Sequence, residues 1–230
     1  LEKVAFKGDY EDPKSLLAKA RAVEARLVYL SNPNNPMGSF LDRAGIEAMV
    51  AELPDGCLLC LDEAYADFVD ADELPAIPAD HPQVIRMRTF SKAFGMAGMR
   101  IGYAITNAVI ADAFNRVRNH FGVNSVGQAA ALAALEDVKY QQSVRVAVAD
   151  SLGRIAEIAA AHKCTALPTH TNFIAIDCGR DGVFAGRVMS SLLEQGIFVR
   201  MPGVVPLNRC IRVSAGKPAD IDLFETAFPK

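Results

Sequence analysis

From Pro13 to Glu24, apolar residues recur at Leu16, Leu17, Ala20 and Val23, the spacing of one helical face. Arg26 to Ser31 is short and mostly apolar and predicts a strand. Asp42 is placed to cap a helix running to about Leu53, with Ile46, Met49 and Val50 on its apolar side. Cys57 to Leu61 is apolar throughout, which fits a strand in a sheet covered on both faces. Val84 to Arg88 and Arg100 to Ile105 predict two more strands, and the first few residues also have a strand-like composition. Helical spacing then dominates over Asn107–Arg118, Ser125–Leu135 and Asp137–His162. Beyond it come strands at Asn172–Asp177, Ile197–Val199 and Cys210–Ser214, with helices at Val183–Gln195 and from Pro218 onward.

Strands alternating with helices indicate an α/β fold with a mostly parallel sheet. The pattern after the long helix reads as a smaller α+β unit, so the expected organisation is a larger domain over residues 1–140 and a smaller one over 141–230. In sheets of this kind ligands gather beyond the carboxyl ends of the strands. Three polar clusters follow strands here: Ser31–Gly38, with three asparagines and two prolines; Asp62–Tyr65; and the turn around Lys92.

Composition narrows the partners. The chain has 230 residues, a formal net charge of −3 and no long basic run, which argues against nucleic acid or an anionic membrane. Its longest apolar runs fall short of the ~20 residues that span a bilayer. No secretory leader is visible. Five cysteines, two of them as Cys57-Leu-Leu-Cys60 inside an apolar run with no second ligand pair, read as reduced core residues of a cytoplasmic protein rather than a metal site. The chain starts at Leu1, not methionine, and is expected to be part of a longer protein.

Lys92 carries the chemical argument. It lies in a turn flanked by Thr89 and Ser91, and Arg100 follows eight positions on. A lysine amine beside hydroxyls and a fixed positive charge suits Schiff-base chemistry with a phosphorylated aldehyde, of which pyridoxal phosphate is the common one. That cofactor needs a carboxylate at its ring nitrogen, donors at its phenolic oxygen, and cations and hydroxyls at its phosphate. Asp62 ends an apolar strand, where a cationic partner would offset its burial. Tyr65 and Asn35 can donate to the phenolic oxygen. Arg100, Ser91 and Thr89 suit the phosphate.

Asn32-Pro-Asn-Asn-Pro-Met-Gly38, Asp62-Glu-Ala-Tyr65, Ser91-Lys-Ala-Phe-Gly-Met-Ala-Gly-Met-Arg-Ile-Gly-Tyr103 and Cys210-Ile-Arg-Val-Ser-Ala-Gly216 together resemble, in order and spacing, the motifs of class I/II aminotransferases of fold type I. Within that family the chain resembles the histidinol-phosphate aminotransferase branch. The resemblance runs from about residue 4 to the C-terminus. It implies a three-layer large domain with a smaller C-terminal α+β domain, pyridoxal 5′-phosphate as cofactor, and a cytoplasmic homodimer. It also implies amino transfer from histidinol phosphate or an aromatic amino acid to a 2-oxo acid such as 2-oxoglutarate. Carried over residue by residue, Lys92 forms the Schiff base and moves the proton, Asp62 pairs the ring nitrogen, Asn35 and Tyr65 bond the phenolic oxygen, and Arg100, Ser91 and Thr89 hold the phosphate. Arg212 takes the substrate carboxylate and Arg200 a substrate phosphate, with Asn35 also at the substrate. Met37 departs from the family's usual threonine or serine. The family's phosphate-binding small-residue loop, ring-stacking residue and cross-dimer tyrosine come from a preceding region that these 230 residues do not contain. Two alternatives share these motifs: a decarboxylase of a phosphorylated amino acid, and a cofactor-sensing domain of a transcriptional regulator.

Overall fold

The computed structural model describes residues 1–229. The chain divides into two compact units, one made of Leu1–Asn34 and Phe40–Gln141, the other of Asn35–Ser39 and Gln142–Lys230.

In the first unit the order is α1 (Pro13–Ala22), β1 (Leu27–Ser31), α2 (Arg43–Ala51), β2 (Leu58–Asp62), β3 (Val84–Thr89), β4 (Gly102–Ile105), α3 (Ala108–Val117), α4 (Ser125–Glu136) and the start of α5 (Val138–Ala161). Strands β1, β2 and β3 are parallel neighbours, and β4 closes the edge antiparallel to β3. The start signal read at Asp42 acts as such, its side chain accepting from the Gly45 N–H; Asn107 and Asn124 also cap α3 and α4 by accepting from Ile110 and Gly127. The opening residues are not a strand. Their one ladder contact is a tight Lys7–Tyr10 bridge.

The strands bury one face. Val28 and Leu30 of β1 and Leu59 and Leu61 of β2 pack with Leu17 and Ala20 of α1 and Ile46 and Met49 of α2. The opposite face carries Leu27 and Tyr29, which stay 54% and 52% exposed, and the half-buried Leu58 and Cys60. Among the described residues, that face of β1 and β2 is only partly covered. Both α1 and α2 pack into the same cluster, on the sealed face.

The second unit holds the rest of α5, then β5 (Thr165–Ala166), β6 (Phe173–Asp177), α6 (Gly182–Glu194), β7 (Cys210–Ser214) and α7 (Pro218–Ala227). Its sheet is antiparallel, in the order β5-β6-β7. Ile155 and Ile158 of α5, Ile174 and Ile176 of β6, Val188 and Leu192 of α6, Ile211 of β7 and Phe224 of α7 form one core. The strand expected at Ile197–Val199 does not form. The Gly196 and Ile197 N–H groups close the end of α6, and Pro202 lacks the donor that a longer ladder needs. Just beyond it, Arg200 bridges to β7, opposite Arg212. The five cysteines are free thiols, with Cys57, Cys178 and Cys210 buried. Among the described residues no helix is long and apolar enough to cross a membrane.

Candidate active site

Because β1, β2 and β3 run parallel, their carboxyl ends share one edge of the sheet. Asn32, Asp62 and the Lys92 turn leave from those ends.

At the end of β2, successive side chains alternate between the two faces. Asp62 takes the open face, in register with Ser31. Its Oδ1 accepts from the Ala64 N–H at 2.9 Å and its Oδ2 from the Tyr29 hydroxyl at 2.5 Å. Glu63, 1% exposed, turns the other way. Both of its oxygens accept from Arg86 Nε, at 3.1 and 3.0 Å, and Oε2 also accepts from Arg88 Nε at 2.8 Å. Arg88 Nη1 reaches Asp67 at 3.1 Å. Burial opposes the Arg88 charge, but the carboxylates of Glu63 and Asp67 outweigh it and hold its pKa above the usual arginine value. This buried network ties the segment after β2 to β3, and removing one member would strand a desolvated charge.

Tyr65 is buried, and Lys92 Nζ stands 5.2 Å from its ring centroid, within cation–π range. The Lys92 turn is closed by its own backbone: Phe90 N–H donates to Ile101, Met96 to Phe90 and Gly95 to Lys92. Phe90 anchors it against Phe94 and Tyr103, at centroid distances of 4.8 and 5.6 Å. Gly102 lets β4 pass close to β3, since a Cβ there would sit 2.7 Å from the Arg88 carbonyl oxygen. Thr89 Oγ1 accepts from the Ser91 N–H at 3.1 Å, which places both hydroxyl-bearing residues in one turn. Arg100 has left-handed backbone and is exposed, and its Nη1 donates to Ala97 at 2.8 Å.

The asparagine loop is held at several points. Asn32 donates to and accepts from the Leu41 backbone, at 2.9 and 2.8 Å, and Asn34 donates to Glu11 at 3.1 Å. Glu11 also accepts from the Ser31 N–H, and burial raises its pKa above the ordinary carboxylate value. In the second unit Asn35 Oδ1 accepts from Arg212 Nη1 at 2.5 Å, while the Arg212 guanidinium lies 4.7 Å from the Phe173 ring centroid. Arg200 exchanges both backbone bonds with Arg212, so the two arginine side chains leave the same side of that pair. The exposed Arg200 guanidinium stacks on Phe198 at 5.1 Å.

The structure thus brings Lys92 to Tyr65, Thr89 to Ser91, and Arg212 to both Asn35 and Arg200. Sequence reasoning missed Tyr29, Glu11 and Glu63. A signal existed for Glu63: Arg86 and Arg88, two apart on one strand face, call for a buried acid nearby. Tyr29 and Glu11 had none, because their partners are set by strand register and by the path of the chain before α1.

These features define a class. The chain matches the model of aminotransferase class I and II over residues 2–227 and belongs to that family. It is similar to histidinol-phosphate aminotransferase 2 of Pseudomonas aeruginosa, 39% identical over 210 residues that cover 90% of this chain and 56% of that protein. Among solved structures it resembles the histidinol-phosphate aminotransferase of Sinorhizobium meliloti in complex with pyridoxal-5′-phosphate, with a TM-score of 0.95 and 47% identity over 99% of this chain and 63% of that one. A decarboxylase from Sulfurospirillum multivorans is also similar, with a TM-score of 0.77 and 25% identity over 96% of this chain and 66% of that one. The fold is therefore that of fold type I aminotransferases, and the chain spans 56 to 63% of the length of the first two relatives.

Proposed function

We propose that this chain belongs to a pyridoxal-phosphate-dependent aminotransferase that moves an amino group from histidinol phosphate to a 2-oxo acid such as 2-oxoglutarate. The observation that carries the reading is the Lys92 amine held 5.2 Å over the Tyr65 ring. The donor set fits the cofactor: an amine, a carboxylate at a strand end, a phenol, and two hydroxyls in the same turn as the amine. Similarity to histidinol-phosphate aminotransferases supports the donor.

When bound, pyridoxal phosphate supplies an aldehyde that condenses with amines and a ring that draws electrons from the donor's Cα. Lys92 is the amine that would hold the cofactor and, when free, would take the proton from the donor's Cα and return it. Asp62 would accept a hydrogen bond from the protonated ring nitrogen. Tyr65 and Asn35 bond the phenolic oxygen, and Thr89, Ser91 and Arg100 serve the phosphate. Arg212 and Arg200, bridged backbone to backbone with their side chains on one side, offer two guanidinium groups to an anionic substrate. Two copies form the working unit.

The test is an amino-transfer assay with histidinol phosphate and 2-oxoglutarate, in the wild type and in Lys92→Ala. Loss of about 10²–10⁴-fold or more is expected, as for removal of an essential acid–base group. Wild-type turnover by Lys92→Ala would overturn the reading. Release of CO2 from a phosphorylated amino acid without amino transfer would favour a lyase instead. Activity on aromatic amino acids but not on phosphorylated donors would remove Arg200 from phosphate binding.

A further inference from the structure

The bond between Tyr29 and Asp62 has no role in the reading above. On β1, Tyr29 faces Cys60 of β2, so Asp62, two residues further along β2, is its diagonal neighbour on the same face. The Tyr29 hydroxyl donates to Oδ2 at 2.5 Å while the Ala64 N–H donates to Oδ1 at 2.9 Å. The two carboxylate oxygens are thus held by two independent donors, one from a side chain and one from the backbone. An O–H donor to an ionised oxygen at this separation lies at the short, strong end of the range. With the backbone donor alone, the carboxylate could swing about its side-chain torsions; with both, it has one orientation. Tyr29 as a whole is 52% exposed. Burial, and then the Asp62 carboxylate, raise the phenol's pKa, which keeps it a donor throughout the neutral range. Glu11 and Cys60 are the other titratable groups facing the pair.

We infer that Tyr29 is a positioning residue, holding the Asp62 carboxylate in the orientation that meets the protonated ring nitrogen of a heteroaromatic cofactor. The inference rests on the cofactor reading of the preceding section.

The experiment is an absorbance titration with pyridoxal phosphate, carried to millimolar concentration, on the wild type, Tyr29→Phe, Asp62→Asn and the double variant. Urea unfolding of the cofactor-free proteins is run alongside. Tyr29→Phe is expected to weaken cofactor binding about tenfold, equivalent to about 1.4 kcal/mol. In the Asp62→Asn background the same change should cost less than about twofold, because the residue acts through the carboxylate. A purely structural tyrosine would shift the urea midpoint and weaken binding equally in both backgrounds, which would overturn the proposal. Unchanged binding by Tyr29→Phe alone would overturn it too. If Asp62→Asn does not weaken binding, the cofactor reading itself fails, and this proposal with it.

Discussion

The two sheets of the molecule treat similar apolar strands differently. In the second unit, Phe173, Ile174, Ala175 and Ile176 of β6 are all 5% exposed or less, so both faces are sealed. In the first unit, β1 alternates between Val28 and Leu30, which are buried, and Leu27 and Tyr29, which are more than half exposed. A strand sealed on both faces contributes packing, while charged side chains sit on its neighbours, here Arg212 on β7 and Arg200 beside it. On β1 and β2 the less covered face also carries polar groups. Tyr29 and Asp62 meet on that open face, while Glu63 is locked with Arg86 and Arg88.

This contrast is sharpest at single side chains. Ile176→Ala in the doubly sealed strand should cost about 2–5 kcal/mol of stability, from lost burial and the cavity left behind. Leu27→Ala on the open face should stay within about 0.5 kcal/mol, as for ordinary surface changes. Urea unfolding of the two variants measures both, and equal losses would mean that the face of Leu27 is covered in solution.

A smaller effect is expected where the asparagine loop groups with the second unit. Gly38 has a φ of +77°, and a Cβ there would overlap Thr169 Oγ1 and stand 2.8 Å from Thr169 Cβ. Thr169 cannot easily give way, since its hydroxyl donates to the Phe173 carbonyl at 2.7 Å. Gly38→Ala should therefore cost about 1–3 kcal/mol, the usual range for backbone held in a disfavoured region. A thermal melt that leaves the midpoint unmoved would show that this tight packing is absent.

The smallest effect is a pH dependence at Glu11 in the first unit. Burial raises its folded pKa above 4.5, so the native state binds the proton more tightly than the unfolded chain. The stabilisation is complete below the ordinary carboxylate range and is lost as pH rises through the raised value. Glu11→Gln can keep an acceptor for Ser31 and Asn34 but has no proton to lose. Its stability relative to the wild type should be flat at acid pH and should improve as pH rises above about 4.5, the ordinary glutamate range. Parallel curves for the two proteins, from urea unfolding across that range, would contradict the burial of Glu11.

Much of the fold was legible because its signals are local. Helical spacing, the Asp42 cap and the apolar cores of β2 and β6 each follow from a few adjacent residues. The Ile197–Val199 segment misled for the same reason: it has strand composition, but its first donor already closes α6.

For the site, the sequence by itself determined the residue types and their order: an amine in a turn, a carboxylate at a strand end, and an asparagine loop ahead of both. That much is encoded in contiguous motifs. Only the tertiary structure decided which of them touch. Strand register set Tyr29 on Asp62, alternation at the end of β2 sent Glu63 to the arginines, and the folding of residues 35–39 with the second unit gave Asn35 to Arg212. Those partners lie 33, 23 and 177 positions apart in the chain, beyond what local spacing can specify. Pairing at such separations follows from how strands align and cores close, which depends on the whole chain at once.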